Sequence, residues 1–250
     1  MSAAGRMVPG ISEVALEREH VSRYRFACGF ARGRDVLDAA CGAGYAAPMF
    51  LEAGARSYLG IDISAEAVDL ASQRYDVDAA ISFVVDDACV FSHVRERAFD
   101  LVVSFETIEH VPEPKRFLAN VSRALRPGGI FIVSTPCRFR YSPGNKLESK
   151  PWNPYHVQEW NQSEFLELLE PSFRVVQVLG QQPMPKWKAH VLSLSATRPW
   201  LKDLISKRHS HKSTAANTPS TAVSNEDLRP RPFSYWQMPL YTVCVTEARG

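Results

Sequence analysis

The chain has 250 residues, of which 45% are hydrophobic and 22% are charged. This length fits one compact domain with added segments and is too short for two typical enzyme domains. No stretch reaches the roughly 18 consecutive apolar residues that a membrane-spanning helix requires, and the N-terminus shows no secretory signal, so we expect a cytoplasmic protein. The five cysteines are widely spaced without a CxxC pair, which favours free thiols.

The net charge of +2 conceals an uneven distribution along the chain. Residues 1–180 hold four more acidic than basic side chains, and residues 181–250 hold six more basic ones. Nucleic-acid enzymes usually carry a basic face with interleaved aromatic residues, whereas the basic excess here lies in one terminal segment. We therefore expect no nucleic-acid ligand. The oligomeric state stays open, with a homodimer among the alternatives.

Seven short β-rich runs are the predicted strands, and helix-like segments separate the first five of them. The runs are residues 35–38, 57–62, 81–86, 99–104, 129–134, 173–179 and 241–246. One predicted helix covers residues 64–75 with Ser64 as its N-cap, and another follows Pro114 and stops at residues 127–129. The alternation of strands and helices predicts an α/β fold, a parallel sheet with helices on both faces.

The region before the last strand breaks this rhythm. Residues 186–205 have helical content and include Trp187 and Trp200. Residues 206–232 contain no aromatic side chain and are rich in Ser, Thr, Ala, Asn and Pro. Such a composition is typical of a linker or of a cover over a binding site.

A turn of small residues follows the first predicted strand, which ends at Asp38. Its glycines allow a ligand to approach the backbone before the next helix begins. Gly42, Gly44 and Asp62 also fit the dinucleotide-binding pattern. However, the Asp38 carboxylate would repel a pyrophosphate and attract an ammonium or sulfonium group. The loop therefore suits a cationic ligand better.

Further motifs follow this loop at successive strand ends. Asp62 closes the second strand, and Asp87-Ala88 follows the third. Residues 104–110 (Ser-Phe-Glu-Thr-Ile-Glu-His) follow the fourth strand, and residues 125–130 (Leu-Arg-Pro-Gly-Gly-Ile) precede the fifth. Together with the loop, they make residues 19–136 resemble the class I S-adenosylmethionine-dependent methyltransferases. The resemblance implies a Rossmann-like fold with a seven-stranded, mostly parallel sheet whose last strand is antiparallel. It also implies S-adenosylmethionine as the cofactor.

The resemblance implies roles for individual residues around this cofactor. Asp38, Gly42 and Gly44 would border its methionine part, Asp62 would hold the ribose hydroxyls, and Asp87 with Ala88 would face the adenine. His20 and Tyr24 lie in a stretch that covers the cofactor in relatives. The remaining predicted cofactor contacts are Ile63, Ser104 and Glu106.

Each of the acidic residues also has a purely structural interpretation. Asp62 can cap the helix that begins near Ser64, and Asp86 or Asp87 can form a turn. Acidic residues at three successive strand ends, at the edge where α/β sheets bind ligands, favour the binding interpretation.

Two histidines are candidate catalytic bases, because an acceptor hydroxyl must lose its proton during methyl transfer. His110 follows the fourth strand, and His156 lies after the fifth, where the chain would fold over the acceptor. Glu106 and Glu109 could orient a histidine or bind a metal, but their spacing is not that of a dedicated metal site. We therefore predict no metal.

Residues 137–165 form a predicted acceptor-side insertion within a single domain that spans residues 1–250, and residues 183–232 form a predicted lid or linker insertion before the last strand. The predicted substrate contacts of the acceptor-side insertion are Tyr141, Trp152 and Tyr155, since flat aromatic faces beside hydrogen-bonding groups suit sugars. The same aromatic residues could instead pack the insertion onto the core.

The block that begins at residue 153 resembles that of methyltransferases associated with bacterial glycan biosynthesis. The leading hypothesis is therefore an O-methyltransferase of a sugar or oligosaccharide, whose partner is a small-molecule or glycan acceptor. The alternatives are methylation of a lipophilic or phenolic metabolite, or a non-catalytic S-adenosylmethionine-binding module.

Overall fold

The computed structural model describes residues 14–75, 78–185, 229–233, 237–239 and 241–248. Its strands are β1 (Asp35–Ala39), β2 (Ser57–Asp62), β3 (Ile81–Val85), β4 (Phe99–Phe105), β5 (Leu125–Pro136), β6 (Phe173–Gln181), β7 (Met184–Pro185), β8 (Gln237–Met238) and β9 (Tyr241–Ala248). Its α-helices are α1 (Val14–Cys28), α2 (Ala47–Glu52), α3 (Ala65–Tyr75), α4 (Pro114–Ala124), α5 (Arg138–Tyr141) and α6 (Gln162–Leu169). A 3-10 turn covers Ile108–His110. In these ranges, no helix is long and apolar enough to cross a membrane.

Seven of the strands form one sheet in the order β3-β2-β1-β4-β5-β9-β6. Strand β9 is antiparallel to both of its neighbours, β5 and β6, and the other six strands are parallel to one another. All seven predicted strands and the antiparallel last strand are confirmed. The strand order reverses between β1 and β4, and α/β sheets bind ligands at the carboxyl edge beside such a reversal.

Helices cover both faces of the sheet, as predicted. On one face, α1, α2 and α3 contribute buried side chains such as Tyr24 and Phe50 to a core with Tyr58 of β2. On the other face, α4 and α6 contribute Phe117 and Phe165 to a second core. A sheet with apolar layers on both faces is the arrangement that strands rich in Val, Ile and Leu require.

The two predicted helix boundaries have different outcomes. Ser64 caps α3 as predicted, since its Oγ accepts a hydrogen bond from the backbone N–H of Ala67 at 3.3 Å. The predicted end of α4 was wrong, because the helix stops at Ala124 and β5 already begins at Leu125. Leu125 is extended and pairs with Phe99, and Pro127 disfavours a helical residue before it.

The acceptor-side segment lies beyond the carboxyl end of β5. Cys137 pairs with Trp160 in an isolated bridge, which closes the segment at its base. Helix α6 then begins at Gln162 with a capping box between Asn161 and Glu164, so the last four residues of the predicted 137–165 insertion lie in this helix. Most of the predicted segment 183–232, including Trp187, Trp200 and the linker from residue 206, lies outside the described residues.

Candidate functional site

The turn after β1 contains two glycines that serve different purposes. Gly42 and Gly44 both have positive φ, 57° and 71°, which favours glycine. A Cβ on Gly44 would lie 2.5 Å from the Phe83 ring, so this glycine permits close packing. A Cβ on Gly42 would meet no atom within 4 Å. The backbone at Gly42 therefore borders open space at the sheet edge.

Asp62 links this turn to the next helix. One carboxylate oxygen accepts a hydrogen bond from the Gly42 N–H at 3.0 Å, and the other accepts from the Ser64 N–H at 2.9 Å. Asp62 thus stabilises the turn ahead of α3, whose cap is Ser64, and also lies beside the open face of the glycine turn. The next residue, Ile63, has 55% of its surface exposed.

The Asp38 carboxyl group is fully buried beneath the same turn. It accepts hydrogen bonds from the hydroxyls of Tyr58 at 2.8 Å and Tyr24 at 3.3 Å. Burial raises the pKa of Asp38 to about 7, the two tyrosine hydrogen bonds oppose this rise, and the charge of Asp62 adds to it. A cation placed near Asp38 would therefore favour its ionised form.

The loop after β3 is organised by two adjacent acidic residues. The Asp86 carboxylate accepts hydrogen bonds from the backbone N–H groups of Asp87, Ser92 and His93 at 2.7–2.9 Å. Asp87 accepts from the N–H of Cys89 at 2.7 Å, and Ala88 packs partly against the second core. These bonds fix the Asp87-Ala88 turn at the edge of the sheet, beside the end of β2.

Ser104 lies near the end of β4 and Glu106 directly after the strand, and their side chains have different surroundings. Ser104 is fully buried, and its hydroxyl donates to the backbone carbonyl of Ala39 at 2.8 Å, which ties β4 to β1. Glu106 has a positive φ of 54° and accepts a hydrogen bond from the Ser134 hydroxyl at 2.6 Å. Glu106 thus links the end of β4 to Ser134 of β5.

Arg23 of α1 is a buried residue that the sequence did not indicate. Its guanidinium lies 4.4 Å from the centre of the Tyr241 ring, and its Nη1 donates to Gln181. The charge of Glu106 raises the pKa of Arg23, although burial opposes this as the largest effect. Nε and Nη2 have no hydrogen-bond partner within the described ranges. Two buried donors of one guanidinium are well suited to a carboxylate.

His110 presents one ring nitrogen as an acceptor. Its Nδ1 lies 2.8 Å from the backbone carbonyl oxygen of Tyr155. Because a carbonyl oxygen only accepts, Nδ1 carries the proton, and Nε2 of the neutral ring keeps its lone pair. Burial lowers the pKa of His110, and the charge of His156 lowers it further, while the bond to Tyr155 opposes this. These effects favour the neutral ring.

His156 uses both of its ring nitrogens within the acceptor-side segment. Its Nδ1 donates to the Glu159 carboxylate at 2.6 Å, and its Nε2 accepts from the Asn153 amide nitrogen at 2.9 Å. The orientation of this amide is set by its oxygen, which accepts from the Tyr155 N–H at 3.0 Å. The surroundings of the two histidines therefore differ: within the described ranges no donor binds His110 Nε2, whereas both nitrogens of His156 bind residues of its own segment.

Glu109 lies between the two histidines and is fully buried. Its Oε2 accepts from the Thr135 hydroxyl at 3.1 Å, and its Oε1 lies 4.0 Å from His110 Nε2. Oε1 has no hydrogen-bond partner among the described residues. Burial and the charge of Glu106 raise the pKa of Glu109 well above its usual range. The ring centres of His110 and His156 are 4.9 Å apart.

The three predicted aromatic substrate contacts lie at different depths. The Tyr141 ring lies 6.1 Å from the His156 ring, and its hydroxyl shares a hydrogen bond with that of Tyr241. Trp152 and Tyr155 are about half exposed, at 49% and 51%. The structure thus places Tyr141 at the histidines, whereas Trp152 and Tyr155 present aromatic surface to solvent.

Comparison with known proteins agrees with this arrangement. Residues 37–133 match the family model described as a methyltransferase domain. A probable S-adenosylmethionine-dependent methyltransferase of Mycolicibacterium smegmatis is 36% identical over 178 residues, which are 70% of this chain and 66% of that protein. A ubiquinone biosynthesis O-methyltransferase of Coxiella burnetii is 30% identical over 105 residues, which are 42% of this chain and 44% of that protein. The chain thus spans less than two thirds of either relative.

The solved structures show the same fold. An S-adenosylmethionine-dependent methyltransferase from Mesorhizobium loti superposes with a TM-score of 0.56 at 20% identity, covering 87% of this chain and 92% of that one. The sheet order, the strand-end motifs and the matched domain agree with one another. Within this chain, residues 37–133 therefore form a methyltransferase domain of the S-adenosylmethionine-dependent type.

Proposed function

We propose that this protein is an O-methyltransferase that methylates a hydroxyl of a sugar or oligosaccharide, with His110 as the general base. The observation that carries this proposal is the hydrogen bond from His110 Nδ1 to the Tyr155 carbonyl, because it leaves Nε2 as a proton acceptor. His110 follows the end of β4, at the sheet edge that also holds the glycine turn.

The residues at this edge fit S-adenosylmethionine. Gly42 borders open space, the Asp38 carboxyl lies under the same turn, and Arg23 has two buried donors without partners in the described structure. Asp38 would face the positive charge of the cofactor, and Arg23 would bind its carboxylate. Asp62 and the Asp87-Ala88 turn would hold the ribose and the adenine.

The protein's remaining task is to prepare the acceptor oxygen. When bound, S-adenosylmethionine supplies a methyl group that is already activated on a sulfonium, so no metal or acyl intermediate is needed for the methyl donor. His110 Nε2 takes the proton that the acceptor hydroxyl loses. The Tyr155 carbonyl then stabilises the resulting imidazolium at Nδ1. Positioned bases of this kind contribute about 10²–10⁴-fold to a rate.

Aromatic and polar side chains around His110 support a sugar as the acceptor. Tyr141 lies beside the histidines, and Trp152 and Tyr155 offer half-exposed rings on the same segment. Sugar rings stack on such faces, and their hydroxyls need hydrogen-bonding partners. Polar side chains lie on the same segment, among them Asn153, whose amide holds His156 and the Tyr155 backbone in place.

A phenolic or lipophilic acceptor is the second candidate. The similarity to a protein named ubiquinone biosynthesis O-methyltransferase favours it, as does the exposed apolar side chain of Val157 next to Tyr155 and Trp152. Both candidates use the same cofactor residues and the same base. They differ only in the surface that binds the body of the acceptor.

Transfer of a labelled methyl group tests the proposal. The full chain is incubated with labelled S-adenosylmethionine and, in separate reactions, with oligosaccharides, simple phenols and polyprenyl phenols. We expect label in an oligosaccharide as an ether, and loss of that label with His110→Gln. Label in phenols alone would instead support the phenolic or lipophilic acceptor. Absence of label in every acceptor, from a protein that binds the cofactor product, would overturn the proposed activity.

A further inference from the structure

Glu109, His110 and His156 form a compact cluster at the end of β4. One ligand atom from each residue lies within 4.8 Å of the others. Glu109 and His110 belong to the turn after β4, and His156 comes from the acceptor-side segment, which two hydrogen bonds to the Glu109 carbonyl hold in place. We propose that these three residues bind a divalent transition-metal ion such as Zn²⁺.

The two carboxylate oxygens of Glu109 differ in their surroundings, and one of them, Oε1, is suited to a cation. Thr135 donates to Oε2 at 3.1 Å, while Oε1 is buried, faces His110 Nε2 and has no hydrogen-bond partner in the described part of the chain. An unpartnered buried carboxylate oxygen is costly. A bound metal ion would satisfy this oxygen, and the bond from Thr135 would orient the carboxylate, as outer hydrogen bonds commonly do around metals.

Both histidines have the hydrogen-bonding arrangement of metal ligands. His110 donates its Nδ1–H to the Tyr155 carbonyl, and His156 donates its Nδ1–H to the Glu159 carboxylate. In each ring, the outer partner places the proton on Nδ1, so Nε2 carries the lone pair that a metal would bind. The Asn153 amide now donates to His156 Nε2, so this amide has to turn away when the ion binds.

Nitrogen and carboxylate ligands suit zinc and the neighbouring transition metals better than calcium or magnesium. Around a tetrahedral zinc ion, ligand atoms lie about 3.4 Å apart, so the 4.0 Å separation of Glu109 Oε1 and His110 Nε2 has to shorten when the ion binds. Of the surrounding charges, Glu106 and Glu159 favour a cation, whereas Arg23 opposes it. A water molecule would occupy the fourth position.

Metal binding and the proposed reaction are separable. Because the Nε2 lone pair of His110 holds either a proton or a metal, we expect added zinc to inhibit methyl transfer and a chelator to restore it. Binding itself is measured without cofactor or acceptor. Absence of the proposed methyl transfer would therefore not argue against the metal site. Absence of zinc binding would not argue against the proposed reaction.

The test titrates the chelator-treated full chain with zinc against a colorimetric zinc indicator. We expect the wild-type protein to bind one zinc ion that Glu109→Gln and His156→Gln bind at least about tenfold more weakly. His93→Gln is the matched control, because the His93 side chain is exposed and outside the Glu109–His110–His156 cluster, and its backbone bond to Asp86 is retained; it should keep the wild-type affinity. Cofactor-product binding verifies that each variant is folded.

Cobalt absorption provides a second measurement that does not depend on the folding of a variant. Wild-type protein loaded with Co²⁺ should show the visible bands of a nitrogen and oxygen site. Intense near-ultraviolet bands from thiolate ligands would instead assign the ion to cysteines and overturn the proposal. Equal zinc affinity of the wild type, Glu109→Gln and His156→Gln would overturn it as well.

Discussion

The Nδ1–H of His110 donates to the backbone carbonyl of Tyr155 at 2.8 Å. This bond joins the end of β4 to the acceptor-side segment, and it fixes which nitrogen of His110 can accept a proton. The proposed base and the proposed acceptor surface are therefore parts of one hydrogen-bonded unit. A change in the segment would alter the orientation of the base as well as the binding of the acceptor.

Replacement of His110 by glutamine should remove most of the turnover. The variant keeps a polar side chain but cannot take the proton of the acceptor hydroxyl, so we expect kcat to fall by about 10²–10⁴-fold. The affinity for S-adenosylhomocysteine, measured by calorimetry, should stay within about twofold because His110 is not among the proposed cofactor contacts. A kcat close to the wild-type value would show that another group accepts the proton.

His156→Gln should have a smaller effect on turnover and a larger effect on stability than His110→Gln. Both nitrogens of His156 hold the acceptor-side segment, and its loss leaves the buried Glu159 carboxylate without this donor. We expect the free energy of unfolding in urea to fall by about 1–3 kcal/mol, and the KM for the acceptor to rise. If a stable His156→Gln lost as much kcat as His110→Gln, the assignment of His110 as the sole base would be wrong.

Arg23→Met should weaken cofactor binding through the cofactor carboxylate. The variant removes the two unpartnered donors, and a hydrogen bond to a charged group contributes about 1.5–3 kcal/mol, which is about 10–100-fold in affinity. Calorimetry with S-adenosylhomocysteine measures this loss. Arg25→Met, an exposed change on the same helix, is the matched control.

A decarboxylated analogue of S-adenosylhomocysteine distinguishes this role from a general loss of structure. It should bind the wild type and Arg23→Met with similar affinity, because the group that Arg23 recognises is missing. A variant that loses affinity for both ligands equally would assign Arg23 to the stability of the site rather than to the carboxylate.

Cofactor affinity should depend on pH through Asp38. In the ligand-free protein the pKa of Asp38 is about 7, so below pH 7 its carboxyl is mostly protonated. A bound cation favours the ionised form, and the proton is released on binding. The affinity for S-adenosylmethionine should therefore rise between pH 6 and pH 7.5, by at most about tenfold per pH unit.

Asp38→Asn should remove this pH dependence and weaken binding at pH 7.5, whereas Asp69→Asn, an exposed change on α3, should leave both unchanged. Calorimetry in two buffers of different ionisation enthalpy counts the released proton. A wild-type affinity that stays flat across this range, with no proton released, would show that Asp38 does not sense the cofactor charge.

The sheet could be predicted almost completely from the sequence, because its signals are local. Seven apolar runs end in turn or acidic residues, and Ser64 marks the start of α3. The end of α4 could not be predicted in this way. Leu125 fits a helix by its apolar character, and only the pairing of β5 with β4 extends the strand back to this residue.

The candidate site was predicted less completely, because its bonds join distant parts of the chain. Motif spacing indicated Asp38, Gly42 and Asp62, but nothing in the sequence marks Arg23 as a buried arginine or Tyr58 as a partner of Asp38. The sequence left both His156 and His110 as candidate bases, because it does not reveal the partners of their ring nitrogens. Asn153 and Tyr155 provide those partners.

The central claim is that His110 accepts a proton from an acceptor hydroxyl during methyl transfer. The most direct measurement compares wild-type protein, His110→Gln and His93→Gln in the transfer of a labelled methyl group to oligosaccharides in the presence of a chelator. We predict a labelled methyl ether with the wild type and His93→Gln, and at least about a hundredfold less with His110→Gln. Equal labelling by all three proteins would contradict the account.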